Sequence, residues 1–376
     1  MRATGAHRTS PGSGAHLRRA ESVRALQEAL REGLADAFLV THLPHVRYLT
    51  GFTGSNAWLL IRKRSAILLT DPRYREQSAR EVQNAQVMIV SGSTMTEALR
   101  REGLLRRLRS MAFEASHCSF TVAQNLKSAL KPLRLLPLHD AVEQLRENKY
   151  PDEIQATRQA IRISETVYTE ILPLLRPGVR EIDIAAEITY RHRLRGADGD
   201  SFAPIVLFGA RSSLIHGTPS RATLRPGQAI LMDFGCRVHG YASDITRTVF
   251  CGKAPPRLRR VYDVVQKAQE KGRALAAPGM TASVLDEHVR NVIRDNGYGD
   301  RFEHGLGHGL GLEVHERPAL SWRSSAELEP GMIITIEPGI YIPGLGGVRI
   351  EDDVLITARG ADVLSSLPRT LVELDA

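Results

Sequence analysis

The chain is sparing with cysteine, with lysine and with long apolar runs, and each scarcity removes a class of protein. Its 376 residues include three cysteines, Cys118, Cys236 and Cys251. Three thiols without C-x-x-C spacing cannot make a disulfide framework, so a reducing compartment, the cytoplasm, is the expectation. No apolar run approaches the roughly 18 residues of a membrane-spanning helix. The first thirty residues carry several Arg but no apolar stretch of the kind a secretory signal needs. No membrane partner is therefore expected. Seven of the 50 basic residues are Lys, so the net charge of +8 is largely an Arg effect. Residues 1–150 hold 23 Lys or Arg against 13 Asp or Glu, and the remainder holds 27 against 29. The surplus is scattered rather than gathered into a stripe, which argues against a nucleic-acid partner. What remains, 42% hydrophobic and 24% charged, is a soluble globular composition of a length suited to two domains.

Residues 1–16, rich in Gly, Ser, Thr and Arg, are expected to form a disordered tail. From Leu17 to Leu34 apolar residues recur at helical spacing, as in Val23, Leu26 and Leu30. Ala37–Val40, Ala57–Ile61 and Ala66–Leu69 read as strands, with turn residues in Gly51–Gly54 and Thr70–Pro72. Helical stretches over Glu97–Arg109 and Val122–Leu130 alternate with further strands, which predicts a small α/β domain over residues 17–148. The polar segment RENKYP marks its end, and Pro151 suits the first turn of a helix that opens a second domain, residues 149–376.

The second domain repeats itself. Leu224–Gly235, LRPGQAILMDFG, matches Leu328–Gly339, LEPGMIITIEPG, 104 residues later, and aligns Asp233 with Glu337. Arg176–Val179 and Ala277–Met280 are likewise matching Pro-Gly turns ahead of helices. Two halves of one design pack about a pseudo-twofold axis, which would bring Asp233 and Glu337 to equivalent places.

Asp233 and Asp244 flank a segment in which Gly235 and Gly240 suit a hairpin, so the two carboxylates can lie side by side on antiparallel strands. Their flanks are apolar, Ile230–Met232 and Val249–Phe250, and no cationic partner is obvious except Arg247. Either a salt bridge or a bound cation must neutralise them. In HGLGHGLGLEVHE, His304, His308 and His315 are interleaved with Gly305, Gly307, Gly309 and Gly311, which permit close backbone approach. Glu337 ends the next apolar run, and Arg349 and Glu351 share a face if extended. Four carboxylates and one imidazole (Asp233, Asp244, His308, Glu337 and Glu351) can share a pocket only with divalent ions. Such a donor set suits two hard or borderline metals, Mn²⁺ or Co²⁺, which can hold a hydroxide between them and polarise a carbonyl. Metal-assisted hydrolysis is the chemistry implied. Spacings for a dinucleotide loop, an H-E-x-x-H helix, a nucleophile elbow and a P-loop are absent. For solitary histidines such as His45, His139 and His288, a structural or surface role is the expectation.

DFG…D, HGLGHGLGLEVHE, EPGIYI and GGVRIEDD together resemble the creatinase/aminopeptidase family of metallopeptidases with the pita-bread fold. The likeness runs from about Leu17 to Thr370, and the segments GFTGSNAWLLI and LLTDPRYREQ resemble the creatinase-like first domain of Xaa-Pro aminopeptidases. The resemblance implies an α+β catalytic domain with an internal pseudo-twofold repeat, preceded by the smaller α/β domain. It implies that Asp244 and Glu351 bridge two metals, Mn²⁺ foremost with Co²⁺ or Zn²⁺ as alternatives. Asp233 would complete one site, and His308 with Glu337 the other. Glu337 would also take a proton from the attacking water. His216 matches a histidine near the scissile peptide, His315 the other substrate-side histidine, suited to the oxyanion or the proline carbonyl, and His304 a further pocket histidine, while Arg349 matches a residue that orients ligand or substrate and Tyr341 a pocket residue. Arg221 and Gln228 stand where the family often has acidic residues.

The activity implied is that of an Xaa-Pro aminopeptidase acting on small peptides with proline second. An Xaa-Pro dipeptidase (prolidase) is the alternative, and a non-catalytic binding protein on the same fold a more distant one. The first domain disfavours a methionine aminopeptidase, and the complete ligand set disfavours creatinase, which works without metal. By resemblance a homodimer is also expected.

Overall fold

In the first unit, Ala37–Val40 (β1) is apolar at four successive positions and buried at all of them, as a strand covered on both faces must be. It pairs antiparallel with β2 (Ala57–Arg62) and parallel with β5 (Ser110–Glu114). With β3 (Ser65–Thr70), β4 (Gln86–Ile89) and β6 (Arg134–Leu138) it forms a six-stranded sheet ordered β4-β3-β2-β1-β5-β6. The computed structural model describes residues 11–375, with side chains from Arg18 onward. Helix α1 spans Pro11–Arg31 and buries Val23, Leu26 and Leu30 as the periodicity predicts. It starts before Leu17, and residues 1–10 of the segment expected to be a tail lie outside the described residues. Around the sheet run α2 (Leu43–Thr50), α3 (Arg75–Glu81), α4 (Met95–Arg101) and α5 (Phe120–Ala129). Helix α4 stops well before Arg109, because Gly103 and Arg107 both adopt left-handed backbone conformations that end a helix.

The chain divides into two compact units between Arg146 and Glu147, within the short helix α6 (Glu143–Glu147). The second unit opens with α7 (Pro151–Ile171), where Pro151 occupies the first turn and the Tyr150 amide donates to Glu153 Oε2 at 2.9 Å. Its first half continues with α8 (Glu181–Leu194), β7 (Gly199–Asp200), β8 (Ile205–Phe208), β9 (Ala229–Phe234), β10 (Cys236–Val238), β11 (Tyr241–Ala242) and β12 (Ile245–Cys251). The second half holds α9 (Pro256–Leu275), α10 (Ala282–Ile293), β13 (Gly307–Gly309), β14 (Glu316–Leu320), β15 (Ile333–Ile336), β16 (Gly339–Ile342), β17 (Gly346–Arg349), β18 (Asp352–Thr357) and β19 (Gly360–Val363), before β20 (Glu373–Leu374).

The duplication is visible in hydrogen bonds. Gly178 N donates to Leu224 O and Leu224 N to Val179 O; Gly279 N donates to Leu328 O and Leu328 N to Met280 O. Each half therefore ties its Pro-Gly turn to the loop ahead of its central strand by the same pair of bonds. Each half also has its own core. Ile184 and Ile188 of α8 pack with Ile230 and Met232 of β9, and Leu285 and Val289 of α10 with Ile334 and Ile336 of β15. The larger sheets run β20-β12-β9-β8 and β14-β13-β15-β18-β19. Asp233 lies one residue from the end of β9 and Glu337 directly follows the equivalent strand β15, while Asp244 and Glu351 immediately precede the equivalent strands β12 and β18. The repeat thus explains why four carboxylates come in two related pairs.

Candidate metal centre

Asp233 and Asp244 are brought together by a short hairpin. His239 and Gly240 take φ of 50° and 82°, the doubly left-handed pair that turns β10 into β11 with Val238 opposite Tyr241. Thr246 lies directly opposite Asp233 on β12, which leaves Asp244 diagonal to it. Gly235 is needed for this closure: a Cβ there would stand 1.8 Å from Ser243 O. The alternate glycines of the second half have the same cause. A Cβ on Gly307 would stand 2.1 Å from Thr335 O, and one on Gly309 equally close to Arg317 O, so β13 fits between β14 and β15 only without side chains there. His308, between them, is thereby carried into the pocket.

Asp244, His308 and Glu351 each offer a ligand atom within 4.8 Å of the others. His308 Nε2 lies 3.6 Å from Asp244 Oδ2 and 3.5 Å from Glu337 Oε1. Burial, reinforced by His315, pushes the His308 imidazole down to about 4, so it is neutral. Its Nδ1 lies 3.0 Å from Gly309 O, a bond that assigns the proton to Nδ1 and leaves the Nε2 lone pair facing the carboxylates. Asp233, Glu337, Arg349, His216 and His315 join these three around a cavity of about 350 Å³. Phe202, Pro204, Ile205 and Val314 supply its apolar wall. His304 and Tyr341 do not line it. They form a chain running away from Asp233, in which Arg349 Nη2 donates to Asp233 Oδ2 at 2.5 Å and Arg349 Nη1 to the Tyr341 hydroxyl at 2.8 Å. That hydroxyl lies 2.9 Å from His304 Nε2, and His304 Nδ1 2.8 Å from Gly305 O. Burial holds Tyr341 up at about 12, and burial with the Arg349 charge holds His304 down at about 3. Both stay neutral.

The pocket is short of positive charge. Burial, then the neighbouring acids, raises the Asp244, Glu351 and Asp353 carboxyls well above the ordinary range, and burial brings Glu337 to about 8. Asp233 Oδ1 and Asp244 Oδ1 are buried without a hydrogen-bond partner. Arg247 does not relieve them: it turns to Asp352 Oδ1 at 2.8 Å and to the carbonyls of Glu351, Leu367 and Pro368. Arg349 hydrogen-bonds Asp233 alone among these acids, and its charge does not offset the burial of Glu337 and Glu351, so of the two ways to neutralise them the bound cation is the one with room to act. Orphaned acidic oxygens around one neutral imidazole fit a pair of divalent ions.

Two residues that the sequence offered no reason to single out support the candidate ligands. Thr246 Oγ1 donates to Glu351 Oε2 at 2.5 Å and accepts from Arg349 Nε at 3.0 Å, and Asp353 Oδ2 accepts the Asp244 amide at 3.1 Å. Thr246 sits among other polar residues of β12, and its place opposite Asp233 depends on strand register, so no local signal flagged the threonine. Thr246→Val keeps the shape and deletes the donor. It is expected to weaken divalent-metal binding about 10- to 100-fold, measured by calorimetric titration of the metal-stripped protein; unaltered affinity would mean that the bond does not orient Glu351.

The described residues include no helix long and apolar enough to cross a membrane. Residues 155–358 match metallopeptidase family M24, and residues 23–148 match the creatinase/prolidase N-terminal domain. The chain is 34% identical over 353 residues to the Xaa-Pro dipeptidase of Pyrococcus horikoshii, covering 94% of this chain and 99% of that one. Among solved structures it is similar to an Xaa-Pro dipeptidase from Bacillus anthracis (TM-score 0.90, 36% identity, 96% and 100% of the two chains). It is similar too to the X-Pro aminopeptidase from Thermotoga maritima (TM-score 0.85, 36% identity, 92% and 100%). The pita-bread fold behind a creatinase-like first domain is therefore present, and the chain belongs to metallopeptidase family M24.

Proposed function

We propose that the chain is an Xaa-Pro aminopeptidase, hydrolysing the bond between an N-terminal residue and a following proline. The observation that carries this reading is the cluster of four carboxylates about the neutral His308 imidazole, opening on a cavity with an apolar wall. Asp244 and Glu351 would bridge two ions, Asp233 would complete one site, and His308 with Glu337 the other. When bound, the ions would make a water more acidic and polarise the scissile carbonyl. The oxygen-rich donor set favours Mn²⁺, with Co²⁺ or Zn²⁺ as alternatives.

The chain's own groups do the rest. Phe202, Pro204, Ile205 and Val314 present an apolar surface to the pyrrolidine ring of proline. A prolyl amide has no N–H, so binding must rest on such shape contacts and on its carbonyl. Glu337 would accept the proton of the attacking water at its carboxylate and pass it to the leaving prolyl nitrogen. His315, pushed down by burial and by His216, is neutral and can donate to the carbonyl oxygen as charge develops there. His216 lies on the same wall. Arg349 fixes Asp233 and, through Tyr341 and His304, braces the pocket from behind.

The second reading is an Xaa-Pro dipeptidase, favoured by the names of the Pyrococcus and Bacillus relatives. Hydrolysis of Ala-Pro and Ala-Pro-Ala with added Mn²⁺ separates the two. Release of Ala from the tripeptide is the expected result. Cleavage of the dipeptide alone would reverse the order, and silence on both with metal bound would overturn the peptidase assignment.

A further inference from the structure

His45 is not solitary. In the first unit the loops that leave the carboxyl ends of the parallel strands β1, β5 and β6 emerge side by side, the usual place for a ligand in an open α/β sheet. The first loop leads into α2 and carries His42, the residue capping that helix, and His45 one turn later on the same face. The second carries His117. The three imidazoles each offer a nitrogen within 4.8 Å of the others. His42 stacks on His117 at 3.8 Å between ring centres, and His45 stands edge-on to both at 4.7 and 5.0 Å.

Two of the rings are held by carboxylates through one nitrogen each. His45 Nδ1 lies 2.5 Å from Glu114 Oε1, and His117 Nε2 lies 2.8 Å from Glu143 Oε1. Glu114 is itself fixed by the amides of Thr41 and His42 at 2.6 and 2.9 Å. Carboxylates that take the proton-bearing nitrogen leave the other lone pair free to bind, which is how metal-bound histidines are oriented. His45 is completely buried, and its Nε2 has no hydrogen-bond partner. Capping of α2 accounts for Glu114 and for His45 Nδ1. It does not account for a buried, unanswered Nε2 or for two further imidazoles gathered beside it.

We infer that His42, His45 and His117 form a second metal site, distinct from the carboxylate centre, which takes a borderline divalent transition ion, Zn²⁺ foremost. Three nitrogens without a carboxylate in the set favour Zn²⁺ over the Mn²⁺ expected at the oxygen-rich centre. A tetrahedral zinc with bonds of about 2.0–2.1 Å spaces its ligand nitrogens by about 3.4 Å, which modest side-chain rotation reaches from the present arrangement. Glu114 and Glu143 together match the charge of one divalent ion.

The test is metal content of the full chain, stripped with chelator, dialysed against Zn²⁺ and analysed by mass spectrometry. His42→Ala/His117→Ala is expected to hold one zinc per chain fewer than the parent while retaining peptidase activity. His117 lies in a partly exposed loop, so His117→Ala alone serves if the double variant does not fold. Glu143→Gln should weaken the same equivalent about tenfold. In a His308→Ala background, zinc should still raise the melting temperature, and adding His117→Ala should abolish that rise. Equal zinc content in parent and histidine variants, or an unaltered melting response, would overturn the site.

Discussion

His308→Ala is expected to cut peptidase activity at least about a thousandfold at saturating metal, the loss of roughly 4 kcal/mol of charge stabilisation at the reacting carbonyl. His308 is the one imidazole of the proposed ligand set, with Nε2 3.5–3.6 Å from Asp244 and Glu337. Its removal takes a neutral donor from a pocket whose acids burial already raises, so the remaining ligands bind protons in competition with metal. The fold should survive. The backbone of β13 is set by the close approach of Gly307 and Gly309 to neighbouring strands, and the imidazole faces the cavity. Steady-state kinetics with metal analysis checks this: full turnover by the variant at saturating Mn²⁺ would exclude His308 as a ligand.

Gly235→Ala should unfold the site from behind. The added methyl would lie 1.8 Å from Ser243 O, a backbone atom that cannot swing aside as a flexible side chain could. The hairpin must open, breaking the bonds that Cys236 N makes to Ser243 Oγ and that Ser243 N makes to Cys236 O. A forced backbone clash of this kind costs about 3–5 kcal/mol, or a fall in melting temperature of roughly 6–20 °C for a domain of this size. Metal binding should weaken in parallel, because Asp233 and Asp244 lie on the two sides of that hairpin. Gly178→Ala is the control: its φ of +92° strains an alanine, but no atom lies near the added carbon. It should cost about 1 kcal/mol. Equal melting temperatures for Gly235→Ala and the parent protein would show that the hairpin can relax at no cost.

Much of this was legible before any coordinates. The two Pro-Gly turns, the strands they precede and the carboxylates at their ends are set by neighbours in the chain, and apolar flanks beside Asp233 and Glu337 mark them as buried acids. The overlong reading of α4 has the same local origin in reverse: apolar periodicity continues past Gly103, and the left-handed backbone there overrides it.

The internal repeat and the carboxylates at its strand ends were thus determined by the sequence alone, because alternation, turn chemistry and close glycine approach act over a few residues. Tertiary structure decided which cation meets which acid. Arg247, close to Asp244 in the chain, turns to Asp352, whereas Arg349 reaches Asp233 across 116 residues. Tertiary structure also set Thr246 against Glu351 and gathered His42 and His45 with His117, pairings that depend on strand register and on which loops share a sheet edge. A single imidazole or hydroxyl carries no periodic signal. Its partner is chosen only when the sheets are assembled, since a hydrogen bond or a ligand bond is made at about 2–3 Å whatever the separation along the chain.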